Sequence, residues 1–225
     1  MIKAIFFDFD DTLGNREVYA YDCYRDILKA YTKELDSLTF ESILQDVMLW
    51  DERGNKNKNY VKEMLMDKYQ IAIPYEEFNE KWDSNLWKYC VPFEGAAEVL
   101  QSLGKQYKLG IITNGPSFGQ RKKLDQSGLR NYFAEEAIIV SGDFGYKKPD
   151  LRLFQVAMER LGVQPEESVY VGDIFRNDVY GAIQAGMHAI WIWTAGKRKC
   201  SLAIPVIHDI RELEKTVCNI QNKCL

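Results

Sequence analysis

The sequence predicts an α/β protein: a doubly wound parallel sheet interrupted after its first strand by a small all-helical segment. Three observations carry that prediction. Short runs rich in Ile, Val and aromatic residues recur along the chain, each of strand length and most followed by a segment whose apolar residues fall at helical spacing. The interval from about Gly14 to Val91 breaks this alternation, holding helical spacing and no run that reads as a buried strand. The first apolar run, Ile5-Phe6-Phe7, drives straight into Asp8, Asp10 and Asp11 with Thr12 behind them, which is not how a buried strand normally ends.

Taken in order, residues 3–9 form a nearly continuous apolar run, the signature of a strand covered on both faces. Residues 108–112, 137–140, 168–171 and 188–193 repeat the pattern. Between them the helical segments are 95–107, 117–127, 150–161 and 177–186, closed by signals such as Gly128, Gly162 with Pro165, and Gly186. Strand and helix alternating at this spacing imply right-handed crossovers in one parallel sheet. Within the insertion, helices are expected at 16–34, 39–52, 59–69 and 75–89. Thr39 with Ser42, and Pro74 followed by Glu76-Glu77, supply helix-start chemistry, and the Asn-rich stretch 54–59 reads as a surface turn. Pro92 marks the return, so residues 1–14 and 92–225 are expected to form the core domain and 15–91 a helical domain.

A chain of 225 residues, 46% of them apolar, can bury a core in both. Its net charge of −4 leaves no excess of Lys and Arg for a nucleic-acid polymer, and the short basic run Lys197-Arg198-Lys199 reads as a solvated loop. Cys23, Cys90, Cys200, Cys218 and Cys224 are odd in number and lack C-x-x-C spacing, which fits reduced thiols better than a disulfide frame. With His188 and His208 the only histidines, a zinc site is not expected. No charged leader precedes the first apolar run and no stretch approaches 18 apolar residues, so the expectation is a cytoplasmic protein without a membrane contact. A monomer is compatible with this composition.

Three acids in four residues repel one another, and a hard, oxygen-seeking cation with a phosphate beside it is an economical compensation. In an open parallel sheet ligands bind beyond the carboxyl ends of the strands. Asp8, Asp10 and Thr12 follow the first predicted strand, and Thr113-Asn114-Gly115 the second. Lys147-Lys148-Pro149 precede the helix that begins near Asp150, and Gly172-Asp173 follow the fourth strand with Asp178 five residues on. Each signal alone is ordinary: Thr113-Asn114-Gly115 is a turn and Gly172-Asp173 a strand-to-helix connection. Together they bring carboxylates, a hydroxyl and a lysine to one edge.

In these four motifs, D-x-D-x-T, [ST]-N, K-P and G-D-x-x-x-x-D, the chain resembles the haloacid dehalogenase superfamily of aspartate-nucleophile phosphotransferases, over essentially its whole length. The resemblance implies a Rossmann-like core with a helical cap inserted after the first strand. Thr113-Asn114-Gly115 with Gln120, Lys123-Leu124, Gly128-Leu129 and Tyr132-Phe133 is further similar to pyrimidine 5′-nucleotidases, N-acylneuraminate-9-phosphatases and phosphoglycolate phosphatases. By that resemblance Asp8 is the nucleophile and Asp10 the general acid and base. Mg²⁺ is held by Asp8, the Asp10 carbonyl and Asp173. Thr113, the amides of Asn114 and Gly115, and Lys148 meet the phosphate. Lys148 is preferred to Lys147 because it directly precedes the proline. Asp178 and Thr12 support the site from behind, and Asp11 serves structure or hydrogen bonding.

The implied activity is magnesium-dependent hydrolysis of a small phosphorylated metabolite (a nucleoside monophosphate, sugar phosphate or phosphoglycolate-like ester) through an aspartyl-phosphate. An acid at position 10 is needed to protonate a departing alkoxide but not to expel a halide, which argues against a dehalogenase, and phosphonatases lack it. The alternatives are a phosphomutase of the β-phosphoglucomutase type and a silent regulatory or binding protein. Substrate selection is expected in the cap, with Arg16 and Tyr19 the first candidates to face substrate and Trp50 and Arg53 behind them; most cap aromatics, including Tyr21, Tyr24, Tyr60, Trp82 and Trp87, are expected to pack as core.

Overall fold

A computed structural model describes residues 1–223, so Cys224 lies outside the described residues. The chain forms two compact units, one of Met1–Asn15 with Pro92 onward and one of Arg16–Val91. Chain exit and return lie side by side in the first unit: Gly14 bridges Pro92, and the Phe93 amide donates to the Leu13 carbonyl at 2.8 Å.

The first unit is built on a parallel sheet whose strands are β1 (Ala4–Phe7), β2 (Lys108–Thr113), β3 (Ile138–Val140), β4 (Ser168–Gly172), β5 (His188–Ile192) and β6 (Val206–Ile207). Their order is β3-β2-β1-β4-β5-β6, which puts β1 between β2 and β4, where the winding direction reverses. All four residues of β1 are buried, as expected of a strand covered on both faces. Phe6, Ile112, Tyr170 and Trp191 from four strands share one core cluster with Leu153, Phe154, Ala157 and Met158. That apolar set comes from one face of the helix Leu151–Leu161, which Asp150 caps through the Arg152 amide.

The second unit holds α1 (Arg16–Lys29), α2 (Ser37–Asp51), α3 (Lys58–Tyr69) and α4 (Tyr75–Asn85). Tyr24, Leu28, Leu44, Val47, Val61, Leu65, Phe78 and Trp82 form its core. Into that core the end of α2 sends a carboxylate. Asp51 is fully buried, ion-paired to Arg16 and Lys58, and accepts from the Tyr24 hydroxyl at 2.6 Å. Burial opposes ionisation of Asp51, but Arg16 and Lys58 outweigh it and hold the carboxyl far below its ordinary range. Lys58 carries the complementary cost, and burial brings its ammonium down to about 8.

After these come α5 (Ala96–Leu103), α6 (Ser117–Gln126), α7 (the Leu151–Leu161 helix), α8 (Gly181–Gln184) and α9 (Leu213–Lys223). The structure shortens several expected elements, each for a local reason. β1 ends at Phe7 rather than Phe9, because the Phe9 carbonyl collects the amides of Leu13 and Gly14 in a tight turn with Asp11 in the left-handed region. α1 ends at Lys29, where the Thr32 hydroxyl takes the Leu28 carbonyl at 2.8 Å. The N-cap of α2 is Asp36, which accepts from the Leu38 and Thr39 amides, so Thr39 lies inside the first turn. The segment after β4 opens with a π-turn at Arg176–Tyr180 before α8. β6 and α9 lie beyond the expected set. No helix among the described residues is long and apolar enough to cross a membrane.

Candidate active site

The carboxyl ends of β1 and β4 carry three buried aspartates, Asp8, Asp173 and Asp178, each with a carboxylate oxygen within 4.8 Å of the others. Asp8 directly follows β1 and still pairs with the sheet, its amide donating to the Val171 carbonyl at 2.9 Å. Asp173 directly follows β4, and its carbonyl accepts from the Trp191 indole at 2.7 Å. Asp178 reaches the cluster from the π-turn: its Oδ2 accepts from the Ile174 amide at 2.8 Å. Gly172 makes that approach possible, since a Cβ there would lie 2.4 Å from Asp178 Cγ.

Among the described residues, Lys148 answers this charge. Lys148 Nζ lies 2.9 Å from Asp8 Oδ1, 2.6 Å from Asp178 Oδ1 and 2.7 Å from the Tyr170 hydroxyl, with only 2% of its side chain exposed. Burial by itself would depress the ammonium, but Asp178 and Asp8 outweigh it and hold its pKa above the ordinary lysine value. Burial also keeps Tyr170 protonated, so its hydroxyl donates to the Ile112 carbonyl at 2.8 Å while accepting from Lys148. Asp8 is left undercompensated. Burial raises its pKa to about 6, Lys148 pulling it down and Asp178 and Asp10 pushing it up.

A cluster of three buried carboxylates suits a hard divalent cation, and Asp8 and Asp173 have the chemistry to hold one. Both Asp178 oxygens already accept from Lys148 and Ile174. Thr12, also expected to support the site, is fully buried, and its Oγ1 has no hydrogen-bond partner among the described residues.

Thr113 ends β2, buried beside Val140 of β3. The Asn114 side chain clamps the backbone of Lys148, accepting from its amide at 2.8 Å and donating to its carbonyl at 3.1 Å. This bidentate contact fixes where the K-P segment meets the end of β2. The Gly115 amide donates to Ser141 Oγ at 3.0 Å.

Asp10 keeps different company from Asp8. The chain turns around the Phe9 carbonyl, between the two carboxylates. Asp10 receives Lys123 Nζ at 2.6 and 2.5 Å and the Gln120 side-chain amide at 3.0 Å. In the helical unit, Arg16 pairs with Asp51 and Tyr19 is fully buried. Trp50 packs on Tyr69, and Arg53 sits in a left-handed turn.

Residues 5–192 match the family model of the haloacid dehalogenase-like hydrolases. The chain belongs to that family. Among curated relatives of this haloacid dehalogenase-like chain, a glyceraldehyde 3-phosphate phosphatase of Methanothermobacter thermautotrophicus is 31% identical, covering 96% of this chain and 99% of that protein. The pyrimidine 5′-nucleotidase YjjG of Escherichia coli is 27% identical over 95% and 97%. Among solved structures, the HAD-hydrolase YfnB of Bacillus subtilis, bound to magnesium, superposes with a TM-score of 0.78 at 25% identity, covering 96% of this chain and 98% of that one. The haloacid dehalogenase-like fold expected from the four motifs is therefore the fold observed.

Four residues of this haloacid dehalogenase-like site were not assigned a role from the sequence: Lys123, Gln120, Tyr170 and Ser141. Tyr170 had a readable signal, a hydroxyl flanked by two valines in the middle of a buried strand. Gln120 and Lys123 were singled out by the finer resemblance, and their spacing of three puts them on one helix face, but neither signal names Asp10 as their partner. Ser141 had none.

Proposed function

We propose that this protein is a magnesium-dependent phosphomonoesterase that cleaves a small phosphorylated metabolite through an aspartyl-phosphate on Asp8. The observation that carries the reading is the buried convergence of Asp8, Lys148, Asp173 and Asp178 at the topological switch point of the sheet. Asp8 attacks phosphorus and Asp10 gives its proton to the departing oxygen; Asp10 then takes a proton from the water that opens the acyl-phosphate. Lys148, Thr113 and the amides of Asn114 and Gly115 meet the equatorial phosphoryl oxygens. Mg²⁺, held by Asp8, the Asp10 carbonyl and Asp173, supplies charge neutralisation for the phosphoryl group when bound. Asp178 and Asn114 keep Lys148 in place, one through its ammonium and the other through its backbone.

Relatives named for a triose phosphate, a pyrimidine nucleotide and, in Mus musculus, an acylneuraminate 9-phosphate support a small-metabolite substrate without agreeing on one. Four free cysteines among the described residues suit a reducing compartment such as the cytoplasm.

The test is phosphate release from p-nitrophenyl phosphate and from a panel of triose phosphates, sugar phosphates and nucleoside monophosphates, with Mg²⁺ and with chelator. Activity is expected to need the metal and to fall by about 10³-fold or more in Asp8→Asn, as loss of a nucleophile requires. Undiminished turnover in Asp8→Asn overturns the mechanism. An isomerised phosphate ester without free phosphate would mark a mutase.

A further inference from the structure

We propose that Lys123 and Gln120 are positioning residues that aim the Asp10 carboxylate for proton transfer, an inference that rests on reading Asp10 as the acid and base. The two side chains stand three residues apart on α6 and so share a face. Lys123 is buried, with 6% of its side chain exposed, and its ammonium lies 2.6 and 2.5 Å from the two Asp10 oxygens. Gln120 is also buried; its Nε2 donates to Asp10 Oδ2 at 3.0 Å and to the Asn114 carbonyl at 2.8 Å. One helix face therefore grips one carboxylate at two points and ties it to the turn after β2.

That turn is built around the grip. Gly115 has φ 150°, and a Cβ there would lie 2.6 Å from Gln120 Nε2. The bland alternative is that a buried lysine has simply taken the nearest carboxylate. It explains the ion pair, but not a second donor on the same oxygen with the glycine cleared beside it. The two motif aspartates are also served separately, Asp8 by Lys148 and Asp10 by Lys123. Neither carboxylate needs to swing toward the other's cation, and a group that passes protons over a single hydrogen bond depends on such fixed geometry. Lys123 and Gln120 exchange no proton in this scheme: the proton leaves the Asp10 carboxyl for the ester oxygen as the P–O bond breaks.

The readout is the leaving group. An alkoxide needs the Asp10 proton, whereas p-nitrophenolate departs without one, and kcat/KM reports the steps through formation of the aspartyl-phosphate. Measured on β-glycerophosphate and p-nitrophenyl phosphate, Lys123→Met is expected to lose about ten-fold more kcat/KM on the alkyl ester than on the aryl ester, a part of the roughly 10²–10⁴-fold that a positioned acid contributes in full. Lys123→Arg should restore most of that ratio, and Gln120→Leu should shift it in the same direction by less. Equal losses on both esters overturn the proposal, since a merely structural role predicts them. If Lys123→Met fails to fold by thermal melting, Gln120→Leu carries the same criterion. Asp10→Asn separates the two levels: if it leaves the alkyl-to-aryl ratio unchanged, the acid reading falls, whereas a shift with Asp10→Asn and none with the α6 variants removes only the positioning role.

Discussion

Asp8 shows what burial does to a carboxylate. Its carboxyl is pushed up from an ordinary value of 3.8 to about 6, with burial as the largest cause and Asp178 and Asp10 adding to it. For an acid shifted upward, the folded state binds more protons than the unfolded chain between those two values. The contribution to stability is therefore complete below about pH 4 and lost as pH rises through about 6. Metal-free protein should accordingly lose thermal stability across that window, and Asp8→Asn should flatten this part of the profile and melt no lower than the parent at pH 7.5. Differential scanning calorimetry in chelator checks both; a parent that gains stability from pH 4 to 7 relative to Asp8→Asn contradicts the assignment. Gly172 is a second residue whose identity is fixed by a neighbour. Gly172→Ala must displace Asp178, and it should cost about 1–3 kcal/mol in denaturant unfolding, as overpacking does, together with activity.

At the scale of elements, the helical unit depends on a charge placed where helices usually bury leucine. The end of α2 puts Asp51 against Arg16 of α1 and Lys58 of α3, with the Tyr24 hydroxyl completing its shell. Removing the carboxylate leaves two buried cations without their counter-charge, so Asp51→Ala should destabilise by about 3–5 kcal/mol in urea titrations at pH 7. Because the folded pKa of Asp51 is depressed, its contribution is present above the ordinary aspartate value and is lost as pH falls below it. The apolar spacing of α1 to α3 was readable in the sequence; this cluster was not, because Arg16, Asp51 and Lys58 lie on three different helices and no periodicity links them.

For the whole molecule, strand order decides what the motifs can do together. Placing β1 between β2 and β4 brings Asp8, Thr113 and Asp173 to one edge, although about a hundred and then sixty residues separate them in the chain. A ligand that binds there binds only the folded state. Mg²⁺ with inorganic phosphate at a hundred times its dissociation constant should therefore stabilise the parent by about 2.7 kcal/mol, seen as a rise in melting temperature. Asp173→Asn should abolish most of that rise; an equal rise in the variant would place the cation elsewhere.

The sequence by itself determined the layers of this protein and the identity of its four motifs. Buried parallel strands leave continuous apolar runs, helices leave a three-to-four spacing, Asp8 and Asp173 stand where apolar runs end, and Lys148 is marked by the proline after it. It did not reach β6, a strand of only two residues, or the early end of β1, which a turn around the Phe9 carbonyl decides. Only the tertiary structure decided which cation meets which carboxylate. Lys148 and Lys123 are both basic residues near motif segments, and the sequence contains nothing that sends one to Asp8 and the other to Asp10. That pairing is set by where β1 turns and by how α6 and the K-P segment return to the same sheet edge, a matter of three-dimensional proximity that no local pattern encodes.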